Sequence, residues 1–458
     1  MPTRLPQRTR LLPRRDFLQL SALAAGATLL PAQTRTAAPA KSSRLPINDP
    51  VRQRTWDAAL STLAGNIHIV PGYDRPVLFE GSVYPGIWQE CGPHEGLVYG
   101  TLGKYITQAD DNAPTPLDIA RNNHMAFFAL QRPIGHESAG QIPASIKMTD
   151  VGFGQIQMVV PIAATAWELV QLTGDDELLV TAYTACSRWD QWLRTWRDTR
   201  KTGLVEGFCT YDTGHDNSPR WAGIPNRCPD GDARKVPSIP SMPRLCPDLS
   251  ATVYGARVAL ASMATALGKG DEASRWQEDA EKIRQLIITK LYCPEDAAFY
   301  DLDAQNKFVR VRGDLISRVL GEHVLHRYDA RDKAIFEAVW TRQIHNPKAF
   351  WAPYPFPSIA LDDPTFVRPI PRNSWGGATQ ALTALRAPRW MLYYGKQTEL
   401  THLLRQWCEA IMRHTEFRQQ MDPLTVDFTQ ADPSGYSPAA LVYLDFIQRL
   451  SHTTVKAV

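Results

Sequence analysis

The residue types best suited to chemistry are concentrated in one short segment of the chain. Residues 211–221 have the sequence Y-D-T-G-H-D-N-S-P-R-W, in which Gly214 and Pro219 favour a shaped loop over a regular helix. Carboxylates and amides bind hydroxyl groups in pairs, aromatic rings stack on the apolar face of a pyranose, and a carboxylic acid can protonate a glycosidic oxygen. An Asx-rich surface turn is the alternative, but large aromatic rings crowd the segment, so we expect a carbohydrate site.

Helices must position this loop, because apolar residues recur at three- and four-residue steps along most of the chain. The helical segments that we predict are 51–64, 117–130, 158–172, 178–196, 249–267, 271–291, 313–326, 331–343, 376–394, 398–413 and 437–450. Short connections alternate with long polar ones that carry motifs, which predicts an all-α fold, an (α/α)6 toroid with its site in the mouth built by the long loops. Short strands are expected at 298–302 and 308–311, and loops with short strands at 72–96. The proline-rich stretch 222–247 is expected to form a wall of the site, because proline lets a loop be ordered without secondary structure. The alternative is a passive linker.

The N-terminus has the features of an export signal. Arg14-Arg15-Asp16-Phe17-Leu18 is a twin-arginine pattern, preceded by a basic region and followed by a small-residue apolar segment at 20–30. A basic tail is the alternative. We therefore expect a leader over 1–40, a single barrel domain over 41–458, and a periplasmic or secreted protein. No later segment reaches 18 uninterrupted apolar residues, so no membrane partner is expected after the leader is cleaved.

Composition limits the partners further. The net charge of +3 falls to neutral or below without the arginine-rich leader, which gives no reason to expect nucleic acid. The seven cysteines include no zinc spacing, and His, Asp and Glu are too dispersed to indicate a metal site or to imply a cofactor. Cys228 and Cys246 could form a disulfide after export, whereas Cys186, Cys293 and Cys408 are expected to be buried thiols.

Several motifs follow one another in the order seen in a known group of enzymes. They are G-H-D-N-S-P-R-W at 214–221, F-W-A-P-Y-P-F-P-S at 350–358, D-D-P at 362–364, N-S-W-G-G at 373–377, D-P-L-T at 422–425 and Y-S-P-A-A-L at 436–441. Together they resemble the processing α-glucosidase I and mannosylglycerate hydrolase group, distant relatives of the trehalases, over most of 120–450. The resemblance implies a six-hairpin glycosidase barrel. It also implies a glycoside hydrolase that acts with inversion. Together with the twin-arginine leader, we expect an exported enzyme that cleaves an α-gluco- or α-manno-configured bond in a small oligosaccharide or glycoside.

The resemblance implies an acid and a base on opposite sides of the substrate. The acid falls on Asp216, whose pKa must be raised by burial among aromatic rings or by the like charge of Asp212. The base position, four residues before the proline at 423, is occupied by Gln419, which cannot accept a proton. We expect Glu416 to replace it, because a helix end can hold a side chain firmly. Asp427 is the second choice.

A wider set of polar and aromatic residues is expected to bind substrate. It comprises Asp212, His215, Asn217, Arg220, Trp221, Trp351, Trp375, Gln157 and Glu137. Arg220 is assigned to substrate or to Asp212. Two other functions stay open: a non-hydrolytic carbohydrate-binding protein, because Gln419 occupies the base position, and a polysaccharide lyase or sugar isomerase. Glu137 and Glu206 are further candidates for the base.

Overall fold

Helices dominate the computed structural model, which describes residues 41–42, 49–107, 113–429 and 434–455. The predicted leader lies outside these residues. The described helices are α1 Pro50–Gly65, α2 Gly92–Thr101, α3 Pro116–Ala129, α4 Ile162–Thr173, α5 Asp176–Trp196, α6 Pro247–Ala266, α7 Gly270–Leu286, α8 Leu315–Gly321, α9 Ala330–Val339, α10 Ala381–Tyr393, α11 Gln397–His414 and α12 Ser437–Val455. Helices α7 and α9 each continue into a π-helical turn, at Ile287–Leu291 and Trp340–Ile344. No helix in the described ranges is both long and apolar enough to cross a membrane.

The even-numbered helices form a closed inner ring. Each packs against the next, from α2 through α4, α6, α8 and α10 to α12, and α12 returns to contact α2. Odd-numbered helices pack outside this ring: α3 lies on α2 and α4, α5 on α4 and α6, α7 on α6, and α11 on α10 and α12. This closure is that of an (α/α)6 barrel, which confirms the predicted fold class.

Local sequence signals set the ends of several helices. The Asp49 side chain accepts hydrogen bonds from the first turn of α1, and Thr115 and Asp118 form a reciprocal capping box at α3. The side chain of Asp175 caps α5, directly after Gly174 ends α4 with φ of +70°. Outer helices such as α7 bury one face, whereas α6 in the inner ring is buried on nearly every side.

The strands are short and lie in the connections between helices. They are β1 Lys41–Ser42, β2 Ile67–Val70, β3 Tyr73–Leu78, β4 Gly86–Trp88, β5 Ile106–Thr107, β6 Ser145–Lys147, β7 Val151–Gly152, β8 Glu206–Gly207, β9 Arg244–Leu245, β10 Tyr292–Cys293, β11 Ala298–Phe299, β12 Asp301–Leu302, β13 Phe308–Val309, β14 Thr379–Gln380 and β15 Gln420–Met421. The largest sheet has the order β13-β12-β9-β8, and β4-β6-β7 forms a second. The strands at 298–302 and 308–309 agree with the sequence prediction.

The longest connections lead into the inner ring. They span 130–161 before α4, 197–246 before α6, 345–380 before α10 and 415–436 before α12, whereas the return connections after α4, α6 and α10 take only two or three residues. The N-terminal ends of the inner helices therefore share one end of the barrel with the elaborated loops, which is where the site was expected.

Two expectations are corrected by the structure. Residues 72–96 were expected to be loops with short strands, yet α2 begins at Gly92. Gly96 and Gly100 bring α2 so close to α3 that an added Cβ would lie 2.8 Å from the Asn123 Cβ and 2.9 Å from the Ala120 Cβ. All seven cysteines are free and buried, and the Cys228 sulfur lies 3.7 Å from the Cys209 sulfur rather than beside Cys246.

Candidate active site

A cavity of about 190 Å³ opens among the long loops at the N-terminal ends of the inner helices. Its lining comes from the connections before α2, α4, α6, α10 and α12, and from the first turn of α10. The lining residues are Glu80, Tyr84, Trp88, Glu90, Ser145, Lys147, Gln155, Gln157, Tyr211, Gly214, Asp216, Arg227, Asn373, Trp375, Leu382 and Gln419. Carboxylates, amides and aromatic rings thus face one another across a small space, as sugar chemistry requires.

Asp216 is the carboxyl of the 211–221 loop that faces this cavity. Burial, together with the negative charge of Glu90, raises its pKa to about 7, and a hydrogen bond from Asn373 opposes both effects. A carboxyl group with a pKa near 7 is protonated in a large fraction of molecules at neutral pH. Such a group can act as a general acid. The like charge expected from Asp212 comes instead from Glu90.

A chain of side-chain hydrogen bonds runs from Asp216 across the cavity. The amide nitrogen of Asn373 donates to Asp216 Oδ2 at 3.0 Å, and the amide oxygen of Asn373 accepts from Gln419 Nε2 at 3.2 Å. Gln419 in turn accepts a hydrogen bond of 2.9 Å from the Tyr84 hydroxyl. The antiparallel pair β14–β15 brings residue 419 beside the segment that leads to Asn373. One carboxamide, that of Asn373, therefore separates Gln419 from Asp216.

Two further carboxylates line the cavity, and both precede α2. Burial raises the pKa of Glu80 well above its usual range, with added repulsion from Glu95 and Glu90, while the Tyr436 hydroxyl donates to Glu80 Oε1 at 2.6 Å and opposes the rise. Burial also raises the pKa of Glu90, and the positive charge of Arg386 opposes it. The sequence analysis missed both glutamates. The alternation of carboxylates with Tyr84 and Trp88 across 80–90 was the signal that could have found them.

Most polar residues of the 211–221 loop face away from the cavity. The Asp212 carboxylate is fully buried, pairs with Arg197 and accepts three backbone N–H bonds, from residues 156, 208 and 209. His215 bonds Asp314 through Nε2 at 2.6 Å and accepts from Arg220 at Nδ1. Neither Asp212 nor His215 lines the cavity, so the structure does not give them the substrate contacts that the sequence suggested.

Arg220 is also turned inward. Its guanidinium makes bidentate pairs with Asp248 at the start of α6 and with Asp301 of β12, at distances between 2.6 and 2.8 Å. The expected pairing with substrate or with Asp212 is therefore not found. Burial, with the adjacent positive charges of Arg318 and Arg220, lowers the pKa of His215 to about 4.

The three tryptophans that were predicted to bind substrate also differ in whether they face the cavity. Trp375 lines the cavity, and its backbone N–H donates to the Asp216 carbonyl at 3.0 Å. Trp221 is buried beneath the loop, where its indole N–H donates to Thr213. Trp351 packs in a separate aromatic cluster against His345 and does not line the cavity, because its loop folds onto the outer part of the barrel. Only the first of these three rings is therefore placed to stack on a sugar.

The remaining predicted binding residues also differ in position. Gln157 lines the cavity and accepts a hydrogen bond of 3.0 Å from Gln155, which lines it as well. Asn217 is exposed and donates to the Asn373 carbonyl at 2.8 Å, so it supports the wall from outside. Glu137 is exposed and pairs with Arg234, remote from the cavity lining.

The carboxylates expected to supply the base do not reach the cavity. Glu416 pairs with Arg418 at 2.7 Å, and that hydrogen bond lowers the pKa of Glu416 below its usual range. Asp427 is exposed. Glu206 is buried, but its carboxylate accepts backbone hydrogen bonds from residues 199 and 200. Gln419 thus faces Asp216 while its two carboxylate neighbours in sequence are turned away.

A larger groove of about 1060 Å³ lies on the outside of the barrel between α5, α6 and α7. Its lining is aliphatic at the centre and charged at the rim. The rim carboxylates of Asp279 and Glu281 pair with Arg194 and Arg284. A groove whose charges are already paired offers no acid or base for catalysis, so the small cavity is the candidate site.

Within the described ranges, two clusters have the composition of metal ligands: Cys209 with Asp212 and Cys228, and Cys246 with Asp248 and Asp301. The carboxylates in both clusters are already bound by guanidinium groups, those of Arg197 and Arg220. A cation would have to displace a buried arginine in either place, so neither cluster is suited to hold a metal.

Comparison with known proteins identifies the family. The family model for the mannosylglycerate hydrolase MGH1-like glycoside hydrolase domain matches residues 124–436, more than half of the chain. The chain belongs to this family. It is a glycoside hydrolase, which leaves no place for the binding-protein, lyase and isomerase alternatives. A comparison with curated proteins gives no match.

Three of the solved structures with the same fold illustrate the similarity, two from a bacterium and one from a yeast. An uncharacterised conserved protein of Thermus thermophilus is 18% identical, with a TM-score of 0.64 over 88% of this chain and 100% of that chain. The GH63 mannosylglycerate hydrolase of the same organism, solved with glucose, is 17% identical, with a TM-score of 0.62 over 88% and 100%. The neutral trehalase of Saccharomyces cerevisiae is 13% identical, with a TM-score of 0.60 over 89% and 82%. The resemblance proposed from the motifs is therefore confirmed.

Proposed function

We propose that this glycoside hydrolase removes a single α-gluco- or α-manno-configured residue from a small glycoside, with inversion at the anomeric carbon and Asp216 as the general acid. The observation that carries the proposal is the Asp216 carboxyl, which faces the cavity with its pKa raised to about 7. At neutral pH this group holds a proton for the departing glycosidic oxygen.

The dimensions of the cavity support action on a terminal residue. Pockets for drug-sized ligands usually measure roughly 300–1,000 Å³, and this one is smaller, at about 190 Å³. Trp88 and Trp375 can stack on one sugar ring, while Gln155 and Gln157 can bind its hydroxyl groups. A space of this size suits one pyranose ring better than a stretch of polysaccharide.

Charge at the cavity suggests which glycosides to test first. The exposed Arg227 lines it and could bind an acidic aglycone, and Lys147 could join it by exchanging its partner Asp150, which lies 2.8 Å from its amino group. The Thermus thermophilus relative is a mannosylglycerate hydrolase that has also been solved with Tris and D-glycerate. Mannosylglycerate therefore comes first among the substrates, followed by α-glucosyl and α-mannosyl disaccharides and the corresponding aryl glycosides.

The test is a hydrolysis screen on the purified chain with Asp216→Asn as its matched variant. We expect wild-type turnover of at least one of these α-glycosides, and a loss on the order of 10²–10⁴-fold in the variant, because the amide keeps the shape but has no proton to give. Proton NMR of the first product formed should show the β-anomer. Unchanged turnover in Asp216→Asn would show that Asp216 is not the general acid. An α-anomer as the first product would show that the enzyme retains the anomeric configuration instead of inverting it.

Export is part of the same proposal and has its own test. The Arg14-Arg15-Asp16-Phe17-Leu18 pattern suits translocation of a folded enzyme by the twin-arginine pathway. We expect the full-length chain to be recovered outside the cytoplasm of a bacterial host, and the double change Arg14→Lys with Arg15→Lys to retain it inside. Equal export of both forms would contradict the assignment.

A further inference from the structure

The proposed inverting hydrolysis needs a base that the family position does not supply, and the inference that follows rests on that proposed function. An inverting enzyme activates water with a carboxylate opposite its acid, roughly 6.5–9.5 Å away. Gln419 has no basic atom. Among the residues described as lining the cavity, the carboxylates other than Asp216 are Glu80 and Glu90.

Glu90 lies on the same wall as the acid. Gly214, two residues before Asp216, has φ of +61°, and an added Cβ there would lie only 1.6 Å from Glu90 Oε2. Glu90 therefore touches the loop that carries the acid, and its negative charge helps to raise the pKa of Asp216. This position lets Glu90 keep the acid protonated, and it places Glu90 beside the loop that carries the acid rather than opposite that loop.

Glu80 lies with Gln419 on the far wall. The Tyr84 hydroxyl donates to Gln419, the Tyr84 ring lies 6.0 Å from the Tyr436 ring, and the Tyr436 hydroxyl donates to Glu80 at 2.6 Å. The path from Asp216 to this wall runs through the Asn373 carboxamide, with a hydrogen bond on each side. The path ends at the Gln419 amide, so it places the wall that carries Gln419, rather than the Glu80 carboxylate itself, at about the separation that inverting enzymes use, roughly 6.5–9.5 Å.

We propose that Glu80 is the general base of this hydrolase. Burial raises the pKa values of both Glu80 and Asp216, so the reactive form is the one in which the pair holds a single proton, on Asp216, and Glu80 is ionised. In that form Glu80 takes a proton from a water molecule, whose oxygen forms a bond to the anomeric carbon as the bond to the glycosidic oxygen breaks. Asp216 gives its proton to the departing oxygen. One water is consumed, and the sugar is released with inverted configuration.

The backbone around Glu80 is held as firmly as a base requires. Its N–H donates to the Gly86 carbonyl at 2.9 Å, and its carbonyl accepts from the Ser437 N–H at 2.8 Å. Next to it, Gly81 has φ of +79°, and a Cβ there would lie 2.5 Å from the Gly435 carbonyl oxygen. Glu80 is thereby fixed to the start of α12, directly after the segment that carries Gln419.

This arrangement also gives Gln419 a role that a glutamate could not fill. Its amide donates to the oxygen of Asn373, which fixes the orientation in which the Asn373 nitrogen donates to Asp216. A carboxylate at position 419 could only accept hydrogen bonds. It would therefore compete with Asp216 for the amide nitrogen of Asn373. Gln419 is thus a positioning residue for the acid, and Glu80 is the catalytic residue.

The first experiment compares Glu80→Gln with Glu90→Gln in the full chain, using an aryl α-glycoside hydrolysed by the wild type. We expect Glu80→Gln to lower kcat by on the order of 10²–10⁴-fold with little change in KM. We expect Glu90→Gln to lower kcat less than Glu80→Gln does and to move the basic limb of the kcat/KM profile to lower pH, since Asp216 loses its repelling neighbour. Retained kcat in Glu80→Gln, or the reverse assignment of the two effects, would overturn the proposal.

The second experiment uses Glu80→Ala with sodium azide, an anionic nucleophile that needs no base. Azide should raise the turnover of an aryl α-glycoside at least tenfold and yield the β-glycosyl azide, which a merely structural role for Glu80 would not produce. The absence of both rescue and azide product in a variant whose circular dichroism matches the wild type would overturn the assignment. If the wild type hydrolyses no glycoside, the proposed function itself is rejected. If turnover needs Asp216 but not Glu80, only the assignment of Glu80 as the base is rejected.

Discussion

The raised pKa of Asp216 has a consequence for stability that can be measured apart from catalysis. In the folded protein this pKa is about 7, against 3.8 for an ordinary aspartate. A raised carboxyl pKa favours folding while the group is protonated, and that contribution is lost as pH rises through the folded-state value. Asp216→Asn cannot lose a proton, so the variant should become more stable than the wild type as pH rises from 5 to 8.

The size of the effect follows from the linkage between proton binding and folding. Each pH unit between the two pKa values is worth about 1.4 kcal/mol, so the range from pH 5 to 7 gives at most about 3 kcal/mol. Asp216 is half-buried, and solvent screening reduces this figure. We expect the free energy of unfolding of Asp216→Asn, relative to that of the wild type, to increase by about 1–2 kcal/mol between pH 5 and pH 7. The gain should level off above pH 7.

Urea unfolding followed by tryptophan fluorescence is the suitable assay, because the chain has 13 tryptophans. Both proteins are unfolded at pH 5, 6, 7 and 8, and their difference in unfolding free energy is plotted against pH. Asp230→Asn, at an exposed position of the same long connection, is the matched control and should give a flat difference. A flat difference for Asp216→Asn as well would show that its carboxyl is ionised at neutral pH, and the assignment of Asp216 as the acid would then lose its basis.

Three other outcomes are expected. Arg220→Met should lower the free energy of unfolding by about 3–5 kcal/mol in urea titrations, because it leaves the buried carboxylates of Asp248 and Asp301 without a counter-charge; a loss below about 1 kcal/mol would contradict the ion-pair role. Gly214→Ala should destabilise the protein more than Gly223→Ala does and should abolish turnover, since both have positive φ but only position 214 lies against Glu90; equal effects on stability would contradict this packing. In the wild type, kcat/KM should fall about tenfold per pH unit above about 7 as Asp216 loses its proton; a flat profile to pH 9 would contradict it.

The barrel could be predicted because its signals are local and repeated. Outer helices such as α7 and α11 bury a single face, so their apolar stripes are visible in the sequence, and the alternation of short and long connections indicates the pairing. Helix α2 lacks such a stripe because it is surrounded by other helices and buries His94 and Glu95 along with its glycines. An inner helix with polar and small residues on buried faces gives no periodic signal.

The site was predictable as a region but not residue by residue. The 211–221 motif led to Asp216, which lines the cavity. Which of its neighbours also face the cavity depends on partners distant in sequence, such as Asp301 for Arg220 and Asp314 for His215. The expectation for Glu416 failed because a nearby arginine, two residues later, pairs with it. Glu80 was missed because it reaches the cavity through contacts with the start of α12, more than 350 residues away in sequence.

The polar density of the 211–221 loop is explained mainly by the need to hold one carboxyl in place. Asp212 fastens the start of the loop to Arg197 after α5, His215 fastens its centre to Asp314 before α8, and Arg220 fastens its end to α6 and β12. These anchors are buried, and they hold the loop so that Asp216 lines the cavity although it forms no ion pair with any residue that the structure describes. A charged partner at Asp216 would stabilise the carboxylate and remove the proton that catalysis needs. The loop therefore uses ion pairs on either side of the acid and excludes them from the acid itself.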